Sequence, residues 1–327
     1  MKDFKPNIVA IGGGTGLSTM LRGLKSYTEN LTAVVTMADD GGGSGKLRED
    51  LGMLPPGDLR NCLVALATAE PTMEALFSYR FQSGSLKGQS AGNLIIAAMD
   101  GIAGNFEEAI RRVGEVLSIR GRVLPVTTEN VYLYADFSDG TKIMGESNIG
   151  EAKLPRNCHI ESVHLMPEKA KPTKEVLESI QNADAIILGP GSLYTSIIPN
   201  FLVDGVADAV RESRAVKIYV ANVMGQPVET EGYTVFDHIE AIHKHAGEGV
   251  ITHCIVNTGK IDDAVLARYR KDGVGPVFVD KARIERSGIR LLPYDLTNRS
   301  GSLARHDSAR LAAAIMEFLK QKEGSIV

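Results

Sequence analysis

The sequence is poor in cysteine, lacks tryptophan and has no long hydrophobic run. Cys62, Cys158 and Cys254 are three, odd in number and widely spaced, which suggests neither a disulfide framework nor a zinc site. No apolar stretch is long enough to cross a bilayer, and Met1 to Pro6 does not resemble a signal peptide, so the expected compartment is the cytoplasm. No charge sign dominates: 36 Lys and Arg against 40 Asp and Glu leave a net charge of −4, and their interspersion argues against a nucleic-acid platform. There is no G-x-S-x-G elbow, no His-Glu-x-x-His and no Cys-x-x-Cys. Hydrolase and metalloenzyme readings therefore have little support.

What is present is an ordinary soluble composition, 43% hydrophobic and 23% charged, in 327 residues. That length exceeds one average domain yet suits a single large α/β unit with an insertion. The chain is organised around Ile8-Val9-Ala10-Ile11, which runs into Gly12-Gly13-Gly14-Thr15-Gly16 and then Leu17-Ser18-Thr19-Met20-Leu21. The pattern reads as buried strand, tight turn and helix start. Glycines let backbone approach an oxyanion, and the helix start offers unpaired N–H groups. Leu17 stands where a strict G-x-G-x-x-G needs its third glycine, so the dinucleotide fingerprint is matched only in part.

Leu31 to Met37 completes a βαβ unit and leads into Asp39-Asp40. An acid at this distance from the glycine turn suits a ribose hydroxyl; the alternative is that Asp40-Gly41 only makes a turn. Gly41 to Lys46 resembles a P-loop but lacks its first glycine and its Ser or Thr. A flexible loop is expected there, either a lid carrying Lys46 or a solvated linker. Asp58 and Asn93 each stand where a helix starts, as caps or as ligand contacts, and a cap does not account for Arg60 and Asn61.

From Val131 to Met144 the pattern alternates like a hairpin around Ser138-Asp139-Gly140, and His159 to Leu165 reads as another strand. Residues 120–170 are expected to be a β-rich insertion that covers or dimerises the sheet rather than doing chemistry. Ala183 to Leu188 then opens a second strand, glycine turn and helix, with Gly191, Ser192, Thr195 and Ser196 grouped at the helix start and one helix expected from Thr195 to Ser213. Two such turns suggest a diphosphate, or a nucleotide with a second ligand. Val216 to Val223 is the next strand and contains Asn222; Ile251 to Val256 and Val277 to Val279 read as further strands, and His306-Asp307 as the cap of the closing helix. His238, His243 and His245 do not share one helical face, so solvated or capping roles are expected for them.

Ile11 to Gly16, Thr36 to Asp40, Gly57 to Asn61, Leu188 to Ser196 and Tyr219 to Asn222, in this order, resemble the phospholactate transferase (CofD-like) superfamily. The nearest likeness is its bacterial gluconeogenesis-factor branch, called YvcK-like. The resemblance implies a Rossmann-like α/β fold, a mostly parallel sheet with helices on both faces and an inserted subdomain, here one domain over 1–327. The transferase members, in coenzyme F420 assembly, move a phospholactyl-type group from a guanosine diphosphate carrier with a divalent metal. The gluconeogenesis-factor branch is associated with UDP-sugar binding, cell shape and peptidoglycan synthesis on gluconeogenic carbon sources. The transferases carry Pro-Asp-Leu-Asp where this chain has Gly57-Asp58-Leu59-Arg60, and a tryptophan after the paired acids where this chain has Gly41 to Gly45. Two acids bind a metal or activate a hydroxyl, whereas an arginine offers a fork to a phosphate.

The expected function is therefore a cytoplasmic UDP-sugar-binding regulator, a homodimer with protein partners in cell-wall synthesis. The alternative is a phospholactate transferase-like group transferase with Asp39, Asp40 or Asp58 positioning magnesium. Gly13, Gly14, Thr15, Gly16, Gly191, Ser192, Thr195 and Ser196 are expected on phosphates, Asp39 and Asp40 on ribose or a metal. Lys46, Asp58, Arg60, Asn61, Asn93 and Asn222 are expected to complete the ligand site. A third reading is a dinucleotide-binding protein; no residue pair is arranged for hydride transfer, so NAD held there would be a surrogate for another nucleotide.

Overall fold

The computed structural model describes residues 4–68, 71–153, 155, 158–298 and 303–324. Its centre is a seven-stranded parallel sheet in the order β10-β9-β8-β7-β1-β2-β3. The strands are β1 (Ile8–Gly12), β2 (Leu31–Val35), β3 (Arg122–Pro125), β7 (Ala185–Leu188), β8 (Val216–Val220), β9 (His253–Asn257) and β10 (Arg290–Tyr294). Every residue of β1, β2, β7 and β8 is buried, the signature of strands covered on both faces. β4 (Tyr132–Phe137), β5 (Lys142–Met144) and β6 (Ile160–Met166) form a separate antiparallel sheet in the order β5-β4-β6. β4 alternates half-buried and buried residues, as expected of a sheet covered on one face.

Helices α1 (Gly14–Leu24), α2 (Gly42–Leu51), α3 (Gly57–Leu66), α4 (Pro71–Ser78), α5 (Ala91–Ala103) and α6 (Phe106–Val116) lie in the first half. α7 (Glu146–Gly150) lies between β5 and β6, and α8 (Lys174–Gln181), α9 (Ile198–Phe201), α10 (Val206–Glu212), α11 (Val235–Ala246), α12 (Asp263–Tyr269), α13 (Lys281–Arg286) and α14 (Ser308–Gly324) follow. No described helix is long and apolar enough to cross a membrane.

Several expectations are corrected. The glycine run from Gly41 is neither lid nor linker but the start of α2. Its glycines serve close packing: a Cβ at Gly43 would stand 2.8 Å from Gln89 Oε1, and one at Gly45 would fall on the Asp40 carbonyl. The helix is thus fixed by tertiary contact rather than by propensity, which glycine lowers. Arg48, 8% exposed, ties it down by donating to the Asp39 and Val131 carbonyls at 3.1 and 2.8 Å.

Arg122–Pro125, inside the expected insertion, pairs with β2 in the main sheet. The helix expected from Thr195 to Ser213 is broken into a π-helical turn (Leu193–Ile197), α9 and α10. Within Val277 to Val279 only Phe278 bridges, to Thr234, and the last strand is Arg290–Tyr294. Neither Asp58 nor Asn93 caps a helix; those positions belong to Pro56 and Ser90, which make no side-chain cap bond.

Candidate functional site

The strand order places the two glycine turns side by side. The chain leaves β1 towards β2 and β3, then returns to β7 on the other side of β1. This is a topological switch point, where open α/β sheets form a crevice beyond the carboxyl ends of their strands. The turn after β1 meets the turn after β7 so closely that a Cβ on Gly16 would fall on the Pro190 carbonyl. Gly14 itself has φ +64°, a conformation that glycine adopts without strain. A cleft of about 330 Å³ opens between the turns, lined by Gly13, Gly14, Thr15, Gly16, Gly191, Ser192, Ser196 and Asn222. Val223, Met224, Gln226, Tyr269, Ala304, Arg305 and His306 lie along its other side.

The segment after β8 clamps the second turn. Asn222 accepts the Gly191 N–H at 3.3 Å and donates to the Gly191 carbonyl at 2.8 Å. Gln226 donates to Ser192 Oγ at 2.7 Å. Glu229, 6% exposed, accepts the Tyr194 N–H at 3.2 Å and the Thr195 hydroxyl at 3.3 Å. Burial raises its pKa to about 7, opposed by these hydrogen bonds. The preceding residue, Val228, has φ +68°, an outlier for a β-branched side chain. Thr195 is therefore engaged by a carboxylate of the protein itself and is not on the cleft wall.

On the other flank of the first turn lies an acidic group. A Cβ on Gly13 would stand 2.6 Å from Asp58 Oδ2, and one on Gly57 would stand 2.7 Å from Asp39 Oδ2. Burial first, then the charge of Asp39, raises Asp58 to about 7, while the Gly14 N–H and Arg60 act against the shift. Burial also raises Asp39, against hydrogen bonds from Gly41 and Ser44. Arg60 lies among these groups, donating to Asn93 Oδ1 at 3.0 Å and to Asn61 Oδ1 at 2.7 Å. Burial and Arg80 lower its pKa, and Asp58 and Asp39 raise it.

The inserted segment reaches this group. Ser147, at the start of α7, donates its N–H and its hydroxyl to Asp40 Oδ1 at 2.9 and 2.8 Å. Glu146 is raised to about 8 by burial and by the charges of Asp39, Asp58, Glu229 and Asp40.

The expected residues thus fall into two neighbouring sets. Gly13 to Gly16, Gly191, Ser192, Ser196 and Asn222 line the cleft; Asp39, Asp40, Asp58, Arg60, Asn61 and Asn93 form the acidic flank. Lys46 is exposed on α2 and lines neither. The sequence reading missed Glu146, Gln226, Glu229 and Tyr269, which follow no motif spacing, and took His306 for a cap. The cap bond there is made by Asp307, which accepts the Arg310 N–H at 2.9 Å. His238 and His245 bond backbone carbonyls of their own helix. Among the described residues no three His, Cys, Asp or Glu side chains are grouped as a metal-ligand set.

Comparison with known proteins agrees with this geometry. The family model described as 2-phospho-L-lactate transferase CofD matches residues 8–297. A protein of Thermoanaerobacterium thermosulfurigenes is 52% identical over 324 residues, covering 98% of this chain and 100% of the relative. The gluconeogenesis factor of Bacillus subtilis is 43% identical over 318 residues, covering 97% and 99%. The crystal structure of a UPF0052 family member from Bacillus halodurans, 44% identical, superposes with a TM-score of 0.91 over 96% of this chain and 99% of that one.

Proposed function

The chain belongs to the CofD family and, within it, to the gluconeogenesis-factor (YvcK-like) group, and on that membership we propose that it is a cytoplasmic nucleotide-sugar-binding regulator. In this reading a UDP-sugar lies across the switch point, and binding controls cell morphogenesis and peptidoglycan synthesis on gluconeogenic carbon. The observation that carries it is the facing of two glycine turns over one cleft, a form suited to a diphosphate, with the half-buried Arg60 on its flank. Backbone N–H groups at a helix start and an arginine fork both complement phosphate oxygens.

A divalent cation fits the acidic flank. Magnesium is commonly held by one or two carboxylates plus ligand phosphates, and Asp39 and Asp58 are two half-buried acids, each disfavoured as an anion by its surroundings. The ion would neutralise diphosphate charge. Calorimetry with UDP-N-acetylglucosamine tests the reading: saturable binding supports it, and no binding of any UDP-sugar at millimolar concentration overturns it.

A second reading, a phospholactate transferase-like transferase, is favoured by Asp58 and Glu146, whose carboxyls exchange protons near neutrality as general acid–base groups must. Turnover of a nucleoside-diphosphate-activated donor with magnesium decides for the transferase; binding without turnover decides for the regulator.

A further inference from the structure

The inserted sheet has an outer strand that needs cover. In the order β5-β4-β6, β6 pairs with β4 alone, so its other side turns backbone N–H and C=O groups away from the sheet. An edge left in that state is a template for pairing with another chain. Here three side chains cover it. The Tyr194 hydroxyl donates to the Ile160 carbonyl at 3.4 Å, Lys244 Nζ donates to the Glu161 carbonyl at 2.7 Å, and the Val163 N–H donates to His245 Nε2 at 3.0 Å. Lys244 and His245 both come from α11, and of the three anchors only His245 is an acceptor.

The two backbone partners of His245 fix the protons on its ring. The Val163 N–H can only donate, so Nε2 carries a lone pair; the Ala241 carbonyl, 2.7 Å from Nδ1, can only accept, so Nδ1 carries the hydrogen. The seat therefore fits a neutral imidazole in one tautomer. An imidazolium would turn a second N–H against the Val163 N–H and leave that amide without its acceptor. Burial lowers the pKa of the ring against the pull of the Ala241 carbonyl, and the Lys244 ammonium lowers it further. The other ionisable groups about the ring are Tyr194, with its ring centre 6.0 Å away, Tyr233 and Glu229, both bonded to Tyr194, and Glu161 on β6. α9, which packs on α11 and β6, brings no ionisable side chain. Of the three side chains on the β6 edge, histidine is the one that changes charge near neutrality.

We propose that His245 is a latch: it holds the outer edge of β6 on α11 while its ring is neutral, and taking up a proton releases that edge. Docking is full above the ordinary histidine value of 6.5 and is lost as pH falls below it, the direction for a group whose docked form binds its proton less readily. The inserted segment keeps a second hold, Ser147 on Asp40, so release at β6 is a local opening and not a loss of the fold. The latch governs how firmly the segment that carries Glu146 and Ser147 is seated on the main sheet.

The test is amide hydrogen exchange of the full chain from about pH 7.5 to about pH 5.5, corrected for the intrinsic pH dependence of exchange, with 15N spectra of the histidine rings. Protection of the Val163 amide is expected to fall about tenfold relative to the amides of β1 and β8, the worth of one hydrogen bond. At the upper pH the His245 ring is expected to carry its hydrogen on Nδ1. His245→Gln, which offers a side-chain oxygen in place of Nε2 and does not titrate, is expected to keep Val163 equally protected at both ends of the range. Glu229 takes up its proton in the same range with the opposite effect on stability; it is present in both proteins, so the difference between them belongs to His245. Val163 protection that is indifferent to pH in the wild type, or that falls equally in His245→Gln, overturns the inference, as does a ring that carries its hydrogen on Nε2 at the upper pH. A misfolded His245→Gln leaves the wild-type measurements standing: the His245 ring and the protection of Val163 are expected to titrate with one midpoint, and two separate midpoints overturn the inference.

Discussion

The Glu229 carboxyl accepts the backbone N–H of Tyr194 at 3.2 Å, so the second glycine turn already holds an acceptor supplied by the protein. Asp58 stands in the same relation to the first turn, where the Gly14 N–H bonds it. Each turn is therefore preorganised by an internal carboxylate, and a ligand competes only for the amides left over.

These carboxylates make stability depend on pH. Burial raises the native pKa of Asp58 and Glu229 to about 7 and of Glu146 to about 8, above their unfolded values, so the native state binds these protons more tightly. Their contribution is complete below about pH 4 and is lost as pH rises through 7 to 8. For Glu229, moving from 4.5 to about 7 corresponds to about 3 kcal/mol against its anion. The melting temperature of the ligand-free protein is expected to fall between about pH 5 and 8.5, and Glu229→Gln is expected to flatten part of that fall. Identical pH profiles for variant and wild type would show that Glu229 does not titrate in this range.

Gly16→Ala is expected to destabilise the fold by about 1–3 kcal/mol or more, because the added methyl meets the Pro190 carbonyl of the facing turn. Urea denaturation reads the loss, and calorimetry is expected to show nucleotide binding abolished with it. Unchanged stability would mean that the two turns are not in contact.

Arg60→Ala is expected to weaken UDP-N-acetylglucosamine about tenfold to a hundredfold, the range for a lost charge-assisted hydrogen bond. Arg60→Lys keeps the charge but not the fork that engages Asn61 and Asn93, so only part of the affinity should return. Affinity equal to wild type in both variants would remove Arg60 from the ligand site.

Arg48→Met is expected to cost about 2–4 kcal/mol in urea denaturation, since it leaves the Asp39 and Val131 carbonyls without their donor. It also loosens α2 from the start of β4, where the Arg48 guanidinium lies 4.4 Å from the Tyr132 ring centre. A loss below about 0.5 kcal/mol, the level of an ordinary surface substitution, would contradict this pinning role.

Much of the parallel sheet was legible because its strands are short apolar runs ending in glycine, as at Ile8–Gly12 and Ala185–Leu188. The hairpin of β4 and β5 was legible from its alternation around Asp139-Gly140. Gly42–Leu51 was not, because a glycine-rich helix contradicts local propensity and exists only where Gln89 and the Asp40 carbonyl leave no room for side chains. Val277 to Val279 misled in the opposite direction: its valines pack against the core, but the segment finds one bridge, not a ladder.

By itself the sequence determined the two glycine turns, the paired acids after β2, and the family to which they belong, because these follow from residue types at fixed local spacing. Only the tertiary structure decided that the turns face each other, since this depends on β7 returning beside β1. It alone decided that Glu229 occupies the second turn, that Glu146 and Ser147 reach Asp39 and Asp40 from α7, and that His306 lines the cleft. Those residues are distant in sequence and carry no shared spacing. Burial and strand order bring them together, and neither can be read from a local pattern.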